Sequence, residues 1–247
     1  MELQKEAIEK IVELADPRIN TIDGATYLFH KTGDDYTQVH ATPEFPETLA
    51  LNSLDALVAM IKTEAVKRHA PPFYLMAKAH DSVKCYTQPM DILRNERAVL
   101  YNVIAADVPG WADNTQLPFE EALIAIRTRF QQSPDIIYLL KLLSDITNGA
   151  KVTYSDNGMA TTVVTQKGVA LQGSDTIRPI VKLRPYRTFL EIDQPESEFH
   201  IRVSERGIKF IEADGGMWKL TARRTIAEYL SERLADMVGS GDVIVTV

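Results

Sequence analysis

Residues 52–79, NSLDALVAMIKTEAVKRHAPPFYLMAKA, change their hydrophobic period partway along, and that change decides the fold class. Leu54, Leu57, Val58, Ile61 and Ala65 recur at helical spacing and form one apolar stripe, with Asn52 or Ser53 placed to cap the first turn. Lys67-Arg68-His69 bring positive charge to the end of that helix, where it complements the dipole. Pro71-Pro72 then stops it, because proline fixes its own φ and disfavours helix in the residue before it. From Phe73 the pattern becomes strand-like over 73–79 and recurs over 83–88 and 97–106, with an Asp81-Ser82 turn between the first two runs. Helices interspersed with runs of successive strands predict an α+β protein whose sheets are mostly antiparallel and flanked by helices.

Working outward, Leu3, Ala7, Ile8, Ile11 and Leu14 predict an amphipathic helix over 2–15, followed by a small meander over 18–41 with turns at Asp23-Gly24 and Thr32-Gly33-Asp34. Downstream, Pro118 opens a helix carrying Phe119, Leu123, Ile126 and Phe130 on one face, and Ser133-Pro134-Asp135 opens a second. That second helix, 136–147, is apolar on nearly every side and is expected in a core or a homo-oligomer interface, with Asn148-Gly149 ending it. Asn157-Gly158 predicts a type I′ hairpin turn, since both residues tolerate positive φ. Further strands are expected over 180–183, 186–191, 199–204 and 208–211, then one long C-terminal helix over 221–238 and a final strand over 243–247. The break at Pro109-Gly110-Trp111 divides the chain, as read, into two closely packed subdomains, 1–116 and 117–247.

The bulk numbers narrow the functional classes. A net charge of −7 over 247 residues disfavours whole-surface attraction to nucleic acid or anionic membrane, so any phosphate site has to be local. One cysteine, Cys85, cannot form an internal disulfide, which points to a reducing compartment. The amino terminus lacks the apolar run of a signal peptide, and the longest apolar stretch, 99–108, falls short of the roughly 20 residues that span a bilayer.

Chemistry is sparse. Arg178, Lys182, Arg184 and Arg187 fall within ten residues, and period-2 spacing puts Lys182 and Arg184 on one strand face. Guanidinium groups bind phosphate or carboxylate bidentately, and Tyr186 and Phe189 are placed to stack on a base. Arg178, Lys182, Arg184, Tyr186, Arg187 and Arg202 form the candidate ligand-binding set; the competing reading pairs its cations with Glu191, Asp193, Glu196, Glu198 and Glu212. Glu212 to Trp218, two carboxylates beside Gly215-Gly216, resembles a divalent-cation loop only loosely and reads better as a tight turn. The five histidines are dispersed without ligand spacing, so no metal, cofactor or catalytic residue is nominated. His80-Asp81 sits at a strand end, away from the helical context of histidine-aspartate phosphohydrolases.

The segments LRPYRTFLEIDQP, 183–195, and FIEADGGMW, 210–218, resemble uncharacterised phage and prophage proteins of the YfdQ-like group. The resemblance rests mainly on 135–235 and implies a viral origin and the cytoplasm of an infected bacterium, without implying an activity. The leading expectation is a non-enzymatic, homo-oligomeric phage accessory protein that binds an anionic partner through the basic cluster, either a nucleotide signal or a host defence protein. The alternatives are a nucleic-acid-binding factor in phage replication or recombination, and a hydrolase using Asp214, Glu212 and His200.

Overall fold

A computed structural model describes residues 18–22, 25–29, 36–39, 46–89, 95–111, 113–148, 151–156, 161–167 and 170–247. The helix expected over 2–15, the Asn157-Gly158 turn and Gly149 lie outside them. The chain divides into two compact units, Met1–Phe45 and Pro46–Val247. In the first, β1 (Arg18–Ile22), β2 (Ala25–Phe29) and β3 (Tyr36–Val39) form the expected antiparallel meander.

The second unit begins with β4 (Leu49–Leu51) and the helix read from the opening stretch, α1 (Leu54–Met60). Ser53 caps it, its Oγ accepting the Ala56 N–H at 3.1 Å, and Glu191 reaches in from far along the chain to accept the Leu54 N–H at 2.7 Å. The helix widens into a π-helical turn, Ile61–Ala65, before its last residues, Val66–Arg68. β5 (Phe73–Ala79), β6 (Ser82–Tyr86) and β7 (Val99–Ile104) follow as an antiparallel meander. β4 adds parallel to β7, and the carboxy-terminal strand β15 (Val243–Thr246) adds parallel to β5.

The chain continues into two further sheets and the helices that precede and follow them. β8 (Gln116–Leu117) precedes α2 (Phe119–Arg129) and α3 (Pro134–Asn148). β9 (Lys151–Asp156), β10 (Thr161–Lys167) and β11 (Ala170–Thr176) make a three-stranded antiparallel sheet, in which Asp156 pairs with Thr161. β11 has no counterpart among the expected strands. β12 (Ile180–Leu183), β13 (Ser197–Ser204) and β14 (Gly207–Glu212) form the sheet β12-β13-β14-β8. The chain ends with α4 (Trp218–Arg233), α5 (Ala235–Ser240) and β15.

Two apolar cores result. Leu57 and Ile61 of α1, Phe73, Leu75 and Val83 of the five-stranded sheet, and Ile226 and Leu230 of α4 share one, together with Cys85, whose thiol burial pushes up to about 12. The other packs Ile126 of α2 and Ile136, Leu139 and Leu143 of α3 against Val181, Phe199, Ile201 and Phe210. Ile136, Leu139, Leu142, Leu143 and Ile146 of α3 therefore find their partners within the chain, while Ile137, Lys141 and Asp145 face outward. Asp135 and Tyr138 of the same helix cover the edge of β12: Asp135 Oδ2 accepts the Lys182 N–H at 2.7 Å and Tyr138 Oη accepts the Arg178 N–H at 3.1 Å.

Three expectations need correction. The fold is α+β with mostly antiparallel sheets, but a division at 116/117 cuts across the packing, because α4 shares the first core and β15 pairs with β5. The long C-terminal helix is interrupted at Leu234, whose φ of −114° and ψ of 24° leave the helical region. The strand expected over 186–191 does not form. Leu183 lies in one core while Phe189 and Ile192 lie in the other, so the chain has to cross between them as an irregular loop.

Candidate functional site

That crossing loop positions Arg187. Its entry is pinned to the end of α2: the Tyr186 N–H donates to Arg129 O and the Gln131 N–H to Arg184 O, each at 2.9 Å. Gln194, buried at 3% exposure, organises the rest. Its Oε1 accepts the N–H groups of Arg187 (3.0 Å) and Thr188 (3.3 Å), and its Nε2 donates to the carbonyls of Phe189 (3.0 Å) and Ile192 (3.2 Å). One amide side chain thus replaces the ladder that a strand would have supplied.

The Arg187 side chain is only 9% exposed. Its guanidinium donates to Glu212 Oε1 and Ser197 Oγ, and lies 3.8 Å over the ring of Trp218. Glu212 Oε2 accepts the Trp218 indole N–H at 3.2 Å, so one carboxylate joins both partners of the cation–π pair. Asp214 supports them from below, accepting the Ser197 hydroxyl at 2.6 Å, the Gly216 N–H at 2.9 Å and the Trp218 N–H at 3.3 Å. Gly215 and Gly216, at φ of +63° and +81°, supply the left-handed turn that brings Trp218 back over Arg187. Burial pulls the Arg187 pKa down against the support of Glu212, Asp214 and Asp113.

These groups form one wall of a cleft of about 470 Å3. His80 and Asp81 from the β5–β6 turn, Trp111 and Asp113 from the segment before β8, and Lys219 from α4 complete it, with Ala105 and Val108 as apolar lining. His80 meets Trp218 edge-on, ring centroids 4.7 Å apart, and its Nε2 is 3.9 Å from Asp81 Oδ2. Trp111 sits edge-on to Phe130 and Phe210, with centroids at 4.6 and 5.4 Å, and Asp113 Oδ1 accepts the Glu212 N–H at 2.8 Å. Among the described residues, two buried side-chain polar atoms have no hydrogen-bond partner, Trp111 Nε1 and Arg187 Nε, and both belong to residues of this cleft.

Burial pushes the His80 pKa down, Asp81 opposes it, and Lys219 and Arg187 add to the lowering. A histidine held neutral by the fold takes up its proton more readily when unfolded. Stability is therefore full above the unfolded pKa of about 6.5 and falls as pH drops through the lower folded value. We expect the urea midpoint to fall between pH 7.5 and pH 5, and His80→Gln to flatten that slope; equal slopes in both proteins would show that His80 contributes none of it.

The six residues of the basic set do not converge. Arg178 pairs with Asp135 Oδ1 at 3.2 Å and lies over the Tyr138 ring. Lys182 and Arg184 share Glu196, at 3.9 and 3.4 Å, in keeping with the common face that their spacing implies. Tyr186 is half-buried in the crossing loop, and Arg202 is exposed on β13. Of the six, Arg187 alone lines the cleft. The expectation of one open basic cluster is corrected accordingly: intramolecular acids hold Arg178, Lys182, Arg184 and Arg187.

The hydrolase arrangement does not assemble either. Glu212 pairs across the ladder with Phe199 and lies on the inner face, whereas His200, one residue on, points outward, as period 2 requires. Among the described residues no group of three His, Cys, Asp or Glu side chains converges as metal ligands, and no helix is long and apolar enough to cross a membrane. Of the cleft residues, sequence reasoning weighed and set aside His80 and Asp81 and the turn from Glu212 to Trp218, and it gave Trp111, Asp113 and Lys219 no role in a site. Their one shared signal was proximity to turns and glycines, at 80–82, 109–111 and 214–216. Compared with known protein families, curated proteins and solved structures, the chain gives no match to any of the three.

Proposed function

We propose that the protein binds, without transforming it, a small phosphate-bearing ligand of nucleotide type in the cleft walled by Arg187 and Trp218. The observation that carries this is the pair of buried, unpartnered N–H donors, Trp111 Nε1 and Arg187 Nε, on residues of one cleft. A buried donor left unpaired costs about 1–3 kcal/mol, and a small side-chain shift that brings it to the cleft surface lets an occupant rich in acceptor oxygens relieve that cost. Lys219, which has no carboxylate within ion-pair distance among the described residues, adds a positive charge at the same site. Asp81 and Asp113 ask for hydrogen-bond donors in return, and a nucleotide brings both: acceptors on its phosphate, donors on its base and ribose. The volume of about 470 Å3 falls in the usual range for such ligands.

Binding is favoured over turnover because Glu212 and Asp214, the two acids beside Arg187 and Trp218, are already engaged. Both Glu212 oxygens serve Arg187 and Trp218, and Asp214 holds the turn. In the phage setting that the resemblance implies, the ligand is a nucleotide signal of the host, sequestered as counter-defence.

The chain has two tryptophans, Trp111 and Trp218, and both line the cleft, so its intrinsic indole fluorescence reports on this site alone. Titration with AMP is expected to change that emission and to raise the melting temperature by mass action. Adenosine, lacking the phosphate, should bind more weakly, and Lys219→Ala should weaken AMP by about tenfold, the loss of one charge-assisted contact. An AMP response that is absent, or that Lys219→Ala leaves unchanged, eliminates the reading.

A further inference from the structure

The outer face of the sheet β12-β13-β14-β8 carries a charge arrangement that the cleft does not use. Arg202 of β13 stands directly opposite Lys209 of β14, and Lys209 in turn opposite Gln116. Like charges on facing residues of an antiparallel pair repel. Among the described residues, no carboxylate lies within ion-pair distance of Arg202, Lys209 or Arg206, the last in the exposed turn that joins the two strands. Two residues along the ladder, Ile180, His200 and Ile211 form the next row, with Ile180 45% exposed. Beyond it Lys182 faces Glu198, a balanced pair.

We infer that this face docks an acidic, extended segment of a partner protein, whose carboxylates settle between Arg202 and Lys209 and whose apolar side chain covers Ile180 and Ile211. Charge complementarity selects the acidic side chain, since an anion between the two cations replaces a repulsion by two attractions. Spacing selects the extended form. The cationic and apolar rows lie two residues apart along the strands, about 6.6 Å, which is also the distance between side chains on one face of an extended chain. A nucleic acid fits less well, because the one ring that these rows offer a base is the imidazole of His200, flanked by Ile180 and Ile211, and the whole chain carries −7.

The probe is a fluorescein-labelled peptide of Glu-Ser-Leu-Ser repeats, which presents glutamate and leucine on one face, read by anisotropy on the full chain. A Glu-Leu-Ser-Ser repeat of equal composition splits them between faces, and a labelled oligothymidylate of matched charge represents nucleic acid. The first peptide should bind more tightly than the other two, weaken with added salt, and lose about tenfold in affinity with Arg202→Glu. That variant converts the facing pair to opposite charges, so its melting temperature should hold or rise. Loss of binding then reports the surface, not unfolding, and Lys209→Glu provides the same separation from the other strand. Tighter binding of oligothymidylate would reassign the face to nucleic acid. Equal binding of both peptides, or an unchanged affinity in both variants, would overturn the proposal, while the AMP response of the cleft is independent of either outcome.

Discussion

Arg187→Met is expected to destabilise the protein by about 3–5 kcal/mol, because it strips a buried carboxylate of its counter-ion. Glu212 is 17% exposed and has no other cation within ion-pair distance among the described residues, and Ser197 and the Trp218 ring lose their contact with the guanidinium in the same step. The single substitution measures the cost of an uncompensated charge, not the net worth of the pair. Adding Glu212→Gln removes that charge and keeps an acceptor for the Trp218 indole N–H, so the double variant should recover at least about 1 kcal/mol of the loss. Urea denaturation followed by tryptophan fluorescence reads both, and additive losses in the double-mutant cycle would show that Arg187 and Glu212 do not depend on each other. The result bears on function as well, since the same pair forms the cleft wall.

The second large effect is expected at Gly207, in the turn from β13 to β14. Its φ is +123°, and a Cβ there would collide with Leu117 O and lie 2.8 Å from Leu117 C. Those are backbone atoms held by the pairing of Leu117 with Ile208, so no side-chain rotation relieves the clash. Gly207→Ala should cost about 3–5 kcal/mol, combining backbone strain with forced separation of two paired segments. At about 2–4 °C per kcal/mol for a domain of this size, the melting temperature should fall by about 10 °C. Gly216→Ala is the matched control: its φ of +81° is equally left-handed, but nothing lies within 4 Å of the added carbon. It should cost only the strain, about 1 kcal/mol. If the two variants melt together, the approach of β8 to the β13–β14 turn is looser than described. Increased hydrogen exchange at Ile208 and Lys209 would mark the loss of the β14–β8 ladder directly.

Much of the fold could be read locally. The Ser53 cap and the stripe from Leu54 to Ala65 found α1, and period 2 found β5, β6, β7 and β13. Asp135, read only as part of a helix start, turned out to hold Arg178 and to close the edge of β12. The site was far less visible. Arg187 was singled out, but for a surface cluster with Arg184 and Lys182, whereas burial beside Glu212 and Trp218 makes it part of a cleft wall. His80 and Lys219, separated by much of the chain, share that cleft through the crossing loop and the Gly215-Gly216 turn.

The sequence by itself determined where α1, α2 and α3 and the strands β5 to β7 and β12 to β14 form, which of their faces turn inward, and that Arg202 and Lys182 stay at the surface, because periodicity, capping and turn chemistry act over a few neighbouring residues. Only the tertiary structure decided that β15 returns to β5, that residues 186–191 leave the sheet to bridge two cores, and which acid each cation meets. Charge pairing and burial depend on distances across the folded chain, and those distances have no signature in local order along it.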